Sequence, residues 1–279
     1  MEDLSSYKTL RVRIGGGVAF ATIDNPPINL LDLELIQDLD RLGREVEQAD
    51  DVRVVVFDSA DPDFFIAHAD VRLIQALPRE VPPKSKALSL FHQMVDRFRT
   101  MPKATIACIE GRARGGGSEF ALSLDMRFGA LGRAVLAQPE VALGILPGGS
   151  GTQRLPRLMG RSRALEVILG CQDFTADIAE RYGYLNRALP PEELRPFVDD
   201  LAYRIASFPP EAIRLAKQAV LEAERDVGPG LLEEAHLFNQ TLATDEAQNR
   251  MARFLELGGQ TRELETASEI GDLVTRAAE

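Results

Sequence analysis

The sequence predicts an α/β protein with a mostly parallel sheet, followed by a helical C-terminal region. Short buried strands alternate with amphipathic helices through the first part of the chain, which is the pattern of βαβ units. Strand signals stop near residue 190, and helical periodicity continues to about residue 258. At 279 residues the chain can bury a substantial core. We therefore predict a core over 1–195 and a helical region over 196–279.

The first elements are predicted to be a hairpin, a helix and two buried strands. Residues 7–14 alternate apolar and polar side chains, and the glycines at 15–17 permit a turn into the strand VAFATID. Residues 33–48 repeat leucine and valine at helical spacing, which predicts an amphipathic helix. The apolar runs VRVVVFDS at 52–59 and ATIACI at 104–109 predict short buried strands.

Two helices are predicted between these buried strands. One is a short helix near 70–77, and the other carries apolar residues at helical spacing over 88–98. In sheets of this kind, ligands bind where strands end and loops gather. The loops 60–70 and 110–118 each follow a buried strand, so we expect them to meet at a binding site.

Composition and charge disfavour several classes of protein. The 43 acidic and 32 basic residues give a net charge of −11 without a dense basic stripe, which disfavours nucleic-acid binding. Three histidines and two cysteines lack metal-ligand spacing, so no metal site is expected. No uncharged apolar run approaches the roughly 20 residues that span a bilayer. The polar start MEDLSSYKTL lacks a signal-peptide pattern, and we expect a cytoplasmic protein without membrane contact.

A run of three glycines follows the second buried strand, in ARGGGSEF at 113–120. Gly115 to Gly117 precede SEFALSL, whose apolar residues fit a buried helix. Glycine lets another group approach the main chain closely, and a helix beginning here would aim unpaired N–H groups at a negative oxygen. Taken alone, the glycines indicate only a tight turn from strand to helix.

Two carboxylates accompany this glycine run. Glu119 falls in the first turn of the predicted helix, where an acid is commonly a partner of the helix dipole. Glu140, in AQPEVALGILPGGSGTQRLP, reads alone as a helix-start or surface acid, and a glycine- and proline-rich loop follows it. Each acid has an ordinary structural explanation, so the pair is more informative than either member.

These stretches resemble the crotonase family, also called the enoyl-CoA hydratase/isomerase family. The resemblance extends over nearly the whole chain, from ATIDNPPINLLD through DFFIAHADV, IEGRARGGGSEFALSLDMRFGA and QPEVALGILPGGSGTQRLPRLMG to PPEAIRLAKQAV. It implies an α/β fold, the crotonase (ClpP-like) spiral of ββα repeats, with a C-terminal helical trimerisation region. It also implies a homotrimer or a homohexamer.

The resemblance implies an enoyl-CoA hydratase of acyl-chain catabolism, which adds water to a 2-enoyl-CoA thioester and gives a 3-hydroxyacyl-CoA. By motif position, the backbone N–H groups of Ala69 and Gly116 would form the oxyanion hole for the thioester oxygen. Glu119 and Glu140 match the two acids of the family's hydratases, one activating water and the other exchanging a proton at the α-carbon. Coenzyme A enters as part of the substrate, and no other cofactor is implied.

The segment beside the first amide is implied to contact the substrate. The expected substrate-binding residues are Ala67, His68, Asp70, Val71 and Arg72. Asp70 fits a helix N-cap better than a ligand contact, and Arg72 fits either a phosphate contact or a solvated helix position.

His68 stands where the family usually has glycine. Three interpretations are open: a tolerated exposed side chain, which we favour, a contact that narrows the pocket, and an added acid or base. Near the C-terminus many relatives carry lysines that reach the CoA phosphates. This chain has only Arg253 and Arg262 there, which leaves an unusual thioester or a non-CoA carbonyl compound as further possibilities.

Other functions are less consistent with the sequence. Another crotonase reaction, such as isomerisation, thioester hydrolysis or C–C cleavage, remains the nearest alternative. A serine hydrolase using Ser118 or Ser150 would lack the G-x-S-x-G context. A paired-carboxylate glycosidase would have little aromatic surface for a sugar, with no Trp and four Tyr in the chain. A non-catalytic assembly or RNA-binding protein fits poorly with the acidic charge and the acid pair.

Overall fold

The computed structural model describes residues 7–223 and 227–267, together with residues 270 and 277. Within these residues, ten strands form two sheets and twelve helices surround them. The strands are β1 Leu10–Gly15, β2 Val18–Ile23, β3 Val54–Ser59, β4 Phe64–Ile66, β5 Ala104–Ile109, β6 Arg112–Arg114, β7 Met126–Ala130, β8 Val135–Ala137, β9 Phe174–Thr175 and β10 Arg187–Leu189. The helices are α1 Leu33–Gln48, α2 Val71–Gln75, α3 Leu90–Thr100, α4 Gly116–Leu122, α5 Gly151–Met159, α6 Arg161–Gly170, α7 Ala176–Tyr182, α8 Pro191–Ala206, α9 Pro210–Glu222, α10 Val227–Leu242, α11 Asp245–Glu256 and α12 Arg262–Ala267.

The larger sheet has six strands in the order β1-β2-β3-β5-β7-β10. The hairpin β1–β2 is antiparallel, and every later pair in this sheet is parallel. Gly16 and Gly17 turn the hairpin with φ of +60° and +82°, values that glycine adopts without steric penalty. The predicted hairpin and the mostly parallel sheet are therefore confirmed.

The smaller sheet has four strands in the order β4-β6-β8-β9. Consecutive strand pairs β3/β4, β5/β6 and β7/β8 each send their first strand to the larger sheet and their second to the smaller one. The chain thus winds as a spiral of ββα turns, which confirms the α/β spiral expected from the family resemblance, while a role of the C-terminal helices in trimerisation stays a prediction. The loops that follow β4 and β6 emerge side by side, because these two strands are parallel neighbours.

Both faces of the larger sheet are buried, which explains the uninterrupted apolar run in β3. Val55 and Phe57 face the main core, whereas Val54 and Val56 face a second core covered by α8. The Phe57 ring packs edge-on against Phe98 of α3 and Phe120 of α4, with centroids 5.1 and 5.0 Å apart. These contacts fix α4, the helix that follows the glycine run, against the sheet.

The residues after β10 that the structure describes up to 267 are largely helical, as the sequence predicts, and most of the last residues of the predicted helical region lie outside the described part of the chain. The first helix of this region, α8, packs across the larger sheet through Leu194 and Val198, and the predicted division at residue 195 falls inside this helix. The division into two domains stays a prediction. In the described part of the chain, no helix is long and apolar enough to cross a membrane.

Candidate active site

One cavity of about 460 Å³ brings together the residues that the sequence singles out. Ala69, Gly116, Glu119 and Glu140 all line it. Most of its other wall is apolar, including Leu31, Leu73, Leu77, Leu90, Phe91, Ile145 and Phe238. The loops after β4 and β6 therefore meet at a shared site, as predicted.

Ala69 is held beside the start of α4 by a short parallel bridge to Leu31. The Leu31 N–H donates to the His68 carbonyl over 2.9 Å, and the Asp70 N–H donates to the Leu31 carbonyl over 3.1 Å. Successive amides of an extended chain point in opposite directions, so the Ala69 N–H points away from Leu31.

Gly116 is the first residue of α4, so its N–H has no acceptor within the helix. A Cβ atom at this position would stand 3.0 Å from the Ala69 Cβ and 3.4 Å from the Ala69 nitrogen. The two amides are thus neighbours, and glycine permits their close approach. Gly115 has a different requirement, because its φ is +48° and a Cβ there would lie 2.9 Å from a Glu140 carboxylate oxygen.

Glu119 lies on α4 and is only 4% exposed. Its Oε1 accepts hydrogen bonds from the Gly149 and Gly151 N–H groups, both over 2.8 Å. Burial and the nearby charge of Glu234 raise the pKa of Glu119 to about 8, although both hydrogen bonds and Arg154 favour the ionised form. Glu119 can therefore exchange a proton near neutral pH.

Glu140 begins a short 3₁₀ helix, Glu140–Leu143, and is 8% exposed. Burial, followed by the charges of Glu119 and Glu234, raises the pKa of Glu140 well above its usual value. Both ends of the Gln138 side-chain amide find hydrogen-bond partners in one orientation. In it the amide nitrogen donates to Glu140 Oε2 over 3.0 Å, and the amide oxygen accepts from the Ser118 hydroxyl. Burial therefore favours the protonated form of Glu140, although the Gln138 amide lies within hydrogen-bond distance of its carboxyl oxygens.

A third buried carboxylate, Glu234 of α10, lies beside Glu119. Its Oε1 accepts from the Ser150 N–H over 2.7 Å, and its Oε2 accepts from the Thr152 N–H over 3.0 Å and from the Thr152 hydroxyl. Glu234 was not predicted from the sequence. The available signal was a charged side chain among Leu231, Ala235, Phe238 and Leu242, apolar residues that repeat at helical spacing.

His92 of α3 completes the contacts of Glu234. Its Nε2 lies 3.1 Å from Glu234 Oε1, and its Nδ1 lies 2.8 Å from the hydroxyl of Ser89, the N-cap of α3. His92 is buried, and both His92 and Ser89 line the cavity. This histidine was also missed, because in the sequence it is an isolated residue in an amphipathic helix.

The predicted substrate-binding residues lie around the first amide in different environments. Ala67 is buried against Ile28 and Phe64, and Val71 lines a small adjoining cavity of about 30 Å³. Asp70 is the N-cap of α2 and accepts from the Arg72 N–H over 2.9 Å, which confirms the capping prediction. Arg72 is exposed, with its guanidinium 3.3 Å from the Gln260 side-chain oxygen. A role in substrate binding stays a prediction for all of them.

The favoured prediction of an exposed His68 is wrong. Its side chain is buried, with the residue 5% exposed, and packs edge-on against Phe254. Its Nδ1 lies 2.9 Å from the Ala69 carbonyl oxygen and its Nε2 lies 2.9 Å from Glu265 Oε1. The imidazole points into the interior, where it contacts the buried carboxylate of Glu265 on α12. Glu265 lies nearly two hundred residues later in the sequence.

The remaining candidates make structural contacts. Arg262 pairs with Asp61 and Asp63, and Arg253 pairs with Glu256. The Ser118 hydroxyl lies 2.6 Å from the Tyr184 hydroxyl. The Ser150 hydroxyl accepts from the Arg154 Nε over 2.9 Å. These contacts give neither serine the histidine base that a serine nucleophile requires.

The chain is similar to several known proteins over most of its length. A family model described as enoyl-CoA hydratase/isomerase matches residues 13–261. The chain is 34% identical over 243 residues to the short-chain-enoyl-CoA hydratase of Clostridium acetobutylicum, covering 86% of this chain and 92% of that protein. It is 35% identical over 254 residues to the crotonyl-CoA hydratase of Syntrophomonas wolfei, covering 90% and 96%. A crystal structure from Streptomyces avermitilis, of a protein provisionally assigned as an enoyl-CoA hydratase, has a TM-score of 0.87 at 39% identity, covering 96% and 97%.

Proposed function

The chain belongs to the enoyl-CoA hydratase/isomerase family, and from this membership we propose that it hydrates 2-enoyl-CoA thioesters to 3-hydroxyacyl-CoA. The observation that supports the proposal is a single cavity whose lining includes Ala69 and Gly116 together with the buried carboxylates of Glu119 and Glu140. Relatives named for short-chain and crotonyl substrates support a short acyl chain as the preferred substrate. The reactants are the thioester and water, with no metal or redox cofactor.

The Ala69 and Gly116 N–H groups are proposed to bind the thioester oxygen. Attack of water at the β-carbon pushes electrons through the conjugated system onto that oxygen, which becomes an enolate. Fixed donors stabilise this developing charge, and loss of one such donor typically lowers the rate by about 10²–10³. The close approach of Gly116 to the Ala69 nitrogen supports convergence of the two donors on one atom.

Glu119 is proposed to be the base that activates water, and Glu140 the acid that protonates the α-carbon. Glu119 accepts two main-chain N–H groups, which stabilise a carboxylate anion and suit it to act as the base. Burial and the charge of Glu119 raise the pKa of Glu140, which suits that carboxyl to act as the acid. Water gives its proton to Glu119 while its oxygen bonds to the β-carbon, and Glu140 then gives its proton to the α-carbon. The two proton transfers add one water molecule to the double bond.

Hydration of crotonyl-CoA tests this proposal through the absorbance of the conjugated enoyl thioester. We expect the absorbance to fall with the unmodified protein, and Glu119→Gln or Glu140→Gln to lower kcat by about 10²–10⁴-fold. Leu169→Gln, a change at an exposed residue of α6, is the control and retains activity. If enoyl-CoA substrates of every chain length keep their conjugation while a 3-enoyl-CoA is converted to a 2-enoyl-CoA, the reaction is isomerisation instead.

The proposal includes assembly into a homotrimer or a homohexamer. Every residue of α9 is at least partly exposed in the single chain, including Leu215 at 48% and Val220 at 70%. One face of α9 packs on the core through Ile213, whereas these exposed apolar side chains support burial of another face against a second subunit. Light scattering after size-exclusion chromatography measures the assembly directly, and a monomeric mass at micromolar concentration contradicts this part.

A further inference from the structure

Each of the two proposed oxyanion amides follows closely on a buried cationic side chain. His68 immediately precedes Ala69, and Arg114 stands two residues before Gly116. These two side chains come from the ends of neighbouring strands of the smaller sheet, after β4 and at the end of β6. Both of them contact the same carboxylate, that of Glu265 on α12.

Glu265 uses a different oxygen for each of these contacts. Its Oε1 lies 2.9 Å from His68 Nε2 and also accepts the Gln260 N–H over 3.0 Å. Its Oε2 accepts from Arg114 Nη1 over 3.3 Å, and the Glu265 carbonyl accepts from the same nitrogen over 3.4 Å. Glu265 and Arg114 are each 1% exposed, so both bonds lie in a dry interior. The carboxylate thus bridges the two strand ends.

This cluster pairs cations with carboxylates, and the charge of the neighbouring Arg112 also acts on it. Both ring nitrogens of His68 face acceptors, the Ala69 carbonyl and the Glu265 carboxylate, so both carry hydrogen and the ring is an imidazolium. The other edge of the Arg114 guanidinium forms a fork with Asp173, through bonds of 2.8 and 2.5 Å. Two cations therefore face two carboxylates. Buried networks of this kind add little net stability over apolar packing, but they fix geometry.

We propose that Glu265 is a positioning residue of the active site, which holds the segments carrying the Ala69 and Gly116 amides in register so that both point at one oxygen. The inference rests on the proposed function, because it needs a thioester oxygen between those amides. Glu265 itself does not line the cavity and touches no reacting atom. Glu265 acts through His68 and Arg114. His68, which stands where the family usually has glycine, therefore has a structural role in the site.

The expected consequence lies in the transition state more than in substrate binding. Donors fixed before the reaction stabilise the developing oxyanion without reorganisation, whereas loosely held donors do not. A misplacement of about 1 Å can lower a rate about 10²-fold. We therefore expect Glu265→Gln to lower kcat roughly 10–100-fold with KM changed only a few-fold. The neutral amide keeps the size of the side chain, but it cannot bind both cations as a carboxylate does.

The test uses a bound chromophore as well as turnover. A 4-dimethylaminocinnamoyl-CoA thioester absorbs at longer wavelength when its carbonyl oxygen accepts strong hydrogen bonds, so its absorption maximum reports the amide geometry directly. We expect a red shift with the unmodified protein, a clearly smaller shift with Glu265→Gln, and the full shift with Glu263→Gln. Glu263 is the matched control because it is an exposed acid on the same helix.

The outcomes separate this inference from the proposed reaction. A full red shift in folded Glu265→Gln overturns the positioning role, whatever the turnover. If Glu265→Gln does not fold, His68→Ala breaks one of the two links, and an unchanged red shift in that variant also overturns the role. Crotonyl-CoA turnover by the unmodified protein is measured in parallel. If the unmodified protein does not turn over crotonyl-CoA, the proposed hydration is contradicted. A red shift that depends on Glu265 would in that case still support the positioning role, for another reaction in the same cavity.

Discussion

Glu119 and Glu234 bind alternate amides of one four-residue segment at the start of α5. Glu119 accepts the N–H groups of Gly149 and Gly151, and Glu234 accepts those of Ser150 and Thr152. The N-terminus of a helix favours negative charge, which explains how two carboxylates share so small a segment. The arrangement makes Glu234 an electrostatic neighbour of the proposed base.

The first prediction concerns the pH dependence of activity in Glu234→Gln. Loss of this negative charge lowers the pKa of Glu119 from about 8, so the ionised base is present at lower pH. The acid limb of the pH profile of kcat/KM for crotonyl-CoA therefore moves to lower pH. His92 contacts Glu234 directly, and the charge of Glu234 acts on both Glu119 and Glu140, while Arg154 acts on Glu119 with the opposite sign.

Glu234→Gln is also expected to lower the free energy of unfolding by about 1–3 kcal/mol, because the Ser150 and Thr152 N–H groups lose a charged acceptor. Asp58→Asn is the matched control. Asp58 is a buried carboxylate that pairs with Arg195 and lies outside the cavity lining, so its loss affects stability but leaves the pH profile in place. An acid limb that does not move in Glu234→Gln contradicts the electrostatic link to Glu119.

The second prediction concerns the glycine run. A Cβ at Gly117 would stand 2.4 Å from the Ile66 carbonyl oxygen and 2.7 Å from the Ile66 Cβ, so backbone must shift. We expect Gly117→Ala to lower the free energy of unfolding by about 1–3 kcal/mol, measured by urea denaturation. Gly170→Ala on α6 is the control, because a Cβ there meets no atom within 4 Å. Equal stability of the two variants argues against close packing of α4 on β4.

The third prediction links His68 to stability. Burial opposes its charge, but Glu265 and the Ala69 carbonyl outweigh burial and raise the pKa of His68 above 6.5. The folded protein then binds this proton more tightly than the unfolded chain does. The stabilisation is complete below pH 6.5 and disappears as pH rises through the folded-state pKa.

Chemical denaturation of the unmodified protein and His68→Gln measures this linkage. The difference in unfolding free energy between the two should shrink as pH rises above 6.5, because glutamine does not titrate whereas His68 loses its proton. Gln93→Ala on the exposed face of α3 serves as the control and should show a difference that is independent of pH. A constant difference for His68→Gln contradicts the imidazolium assignment.

The sequence predicted the elements whose side chains repeat regularly. The hairpin of β1 and β2 and the amphipathic helix α1 were found at their observed positions, because each is long enough to show its period. The smaller sheet was not visible in the same way. Strands of two or three residues such as β4 and β9 are too short to show any alternation, and tertiary packing alone defines them.

The site was only partly predictable for a related reason. Glu119 and Glu140 lie in recognisable motifs beside the glycine run, so their shared cavity could be expected. Glu234 and Glu265 stand in C-terminal helices, where an acid normally marks a solvated face, and only the fold brings each of them to a buried partner. His68 was misjudged for the same reason, since nothing local in FIAHADV reveals a distant carboxylate.

The most direct test of the account is the structure of the protein with a bound, unreactive acyl-CoA thioester. The proposed mechanism requires the Ala69 and Gly116 amides and the Glu119 and Glu140 carboxylates to act on one thioester. We predict that the Ala69 and Gly116 nitrogens both lie about 2.7–3.1 Å from the thioester oxygen, with Glu119 and Glu140 facing the neighbouring carbons. A thioester oxygen that neither amide contacts, or an acyl chain outside the cavity shared by the two acids, would contradict the account.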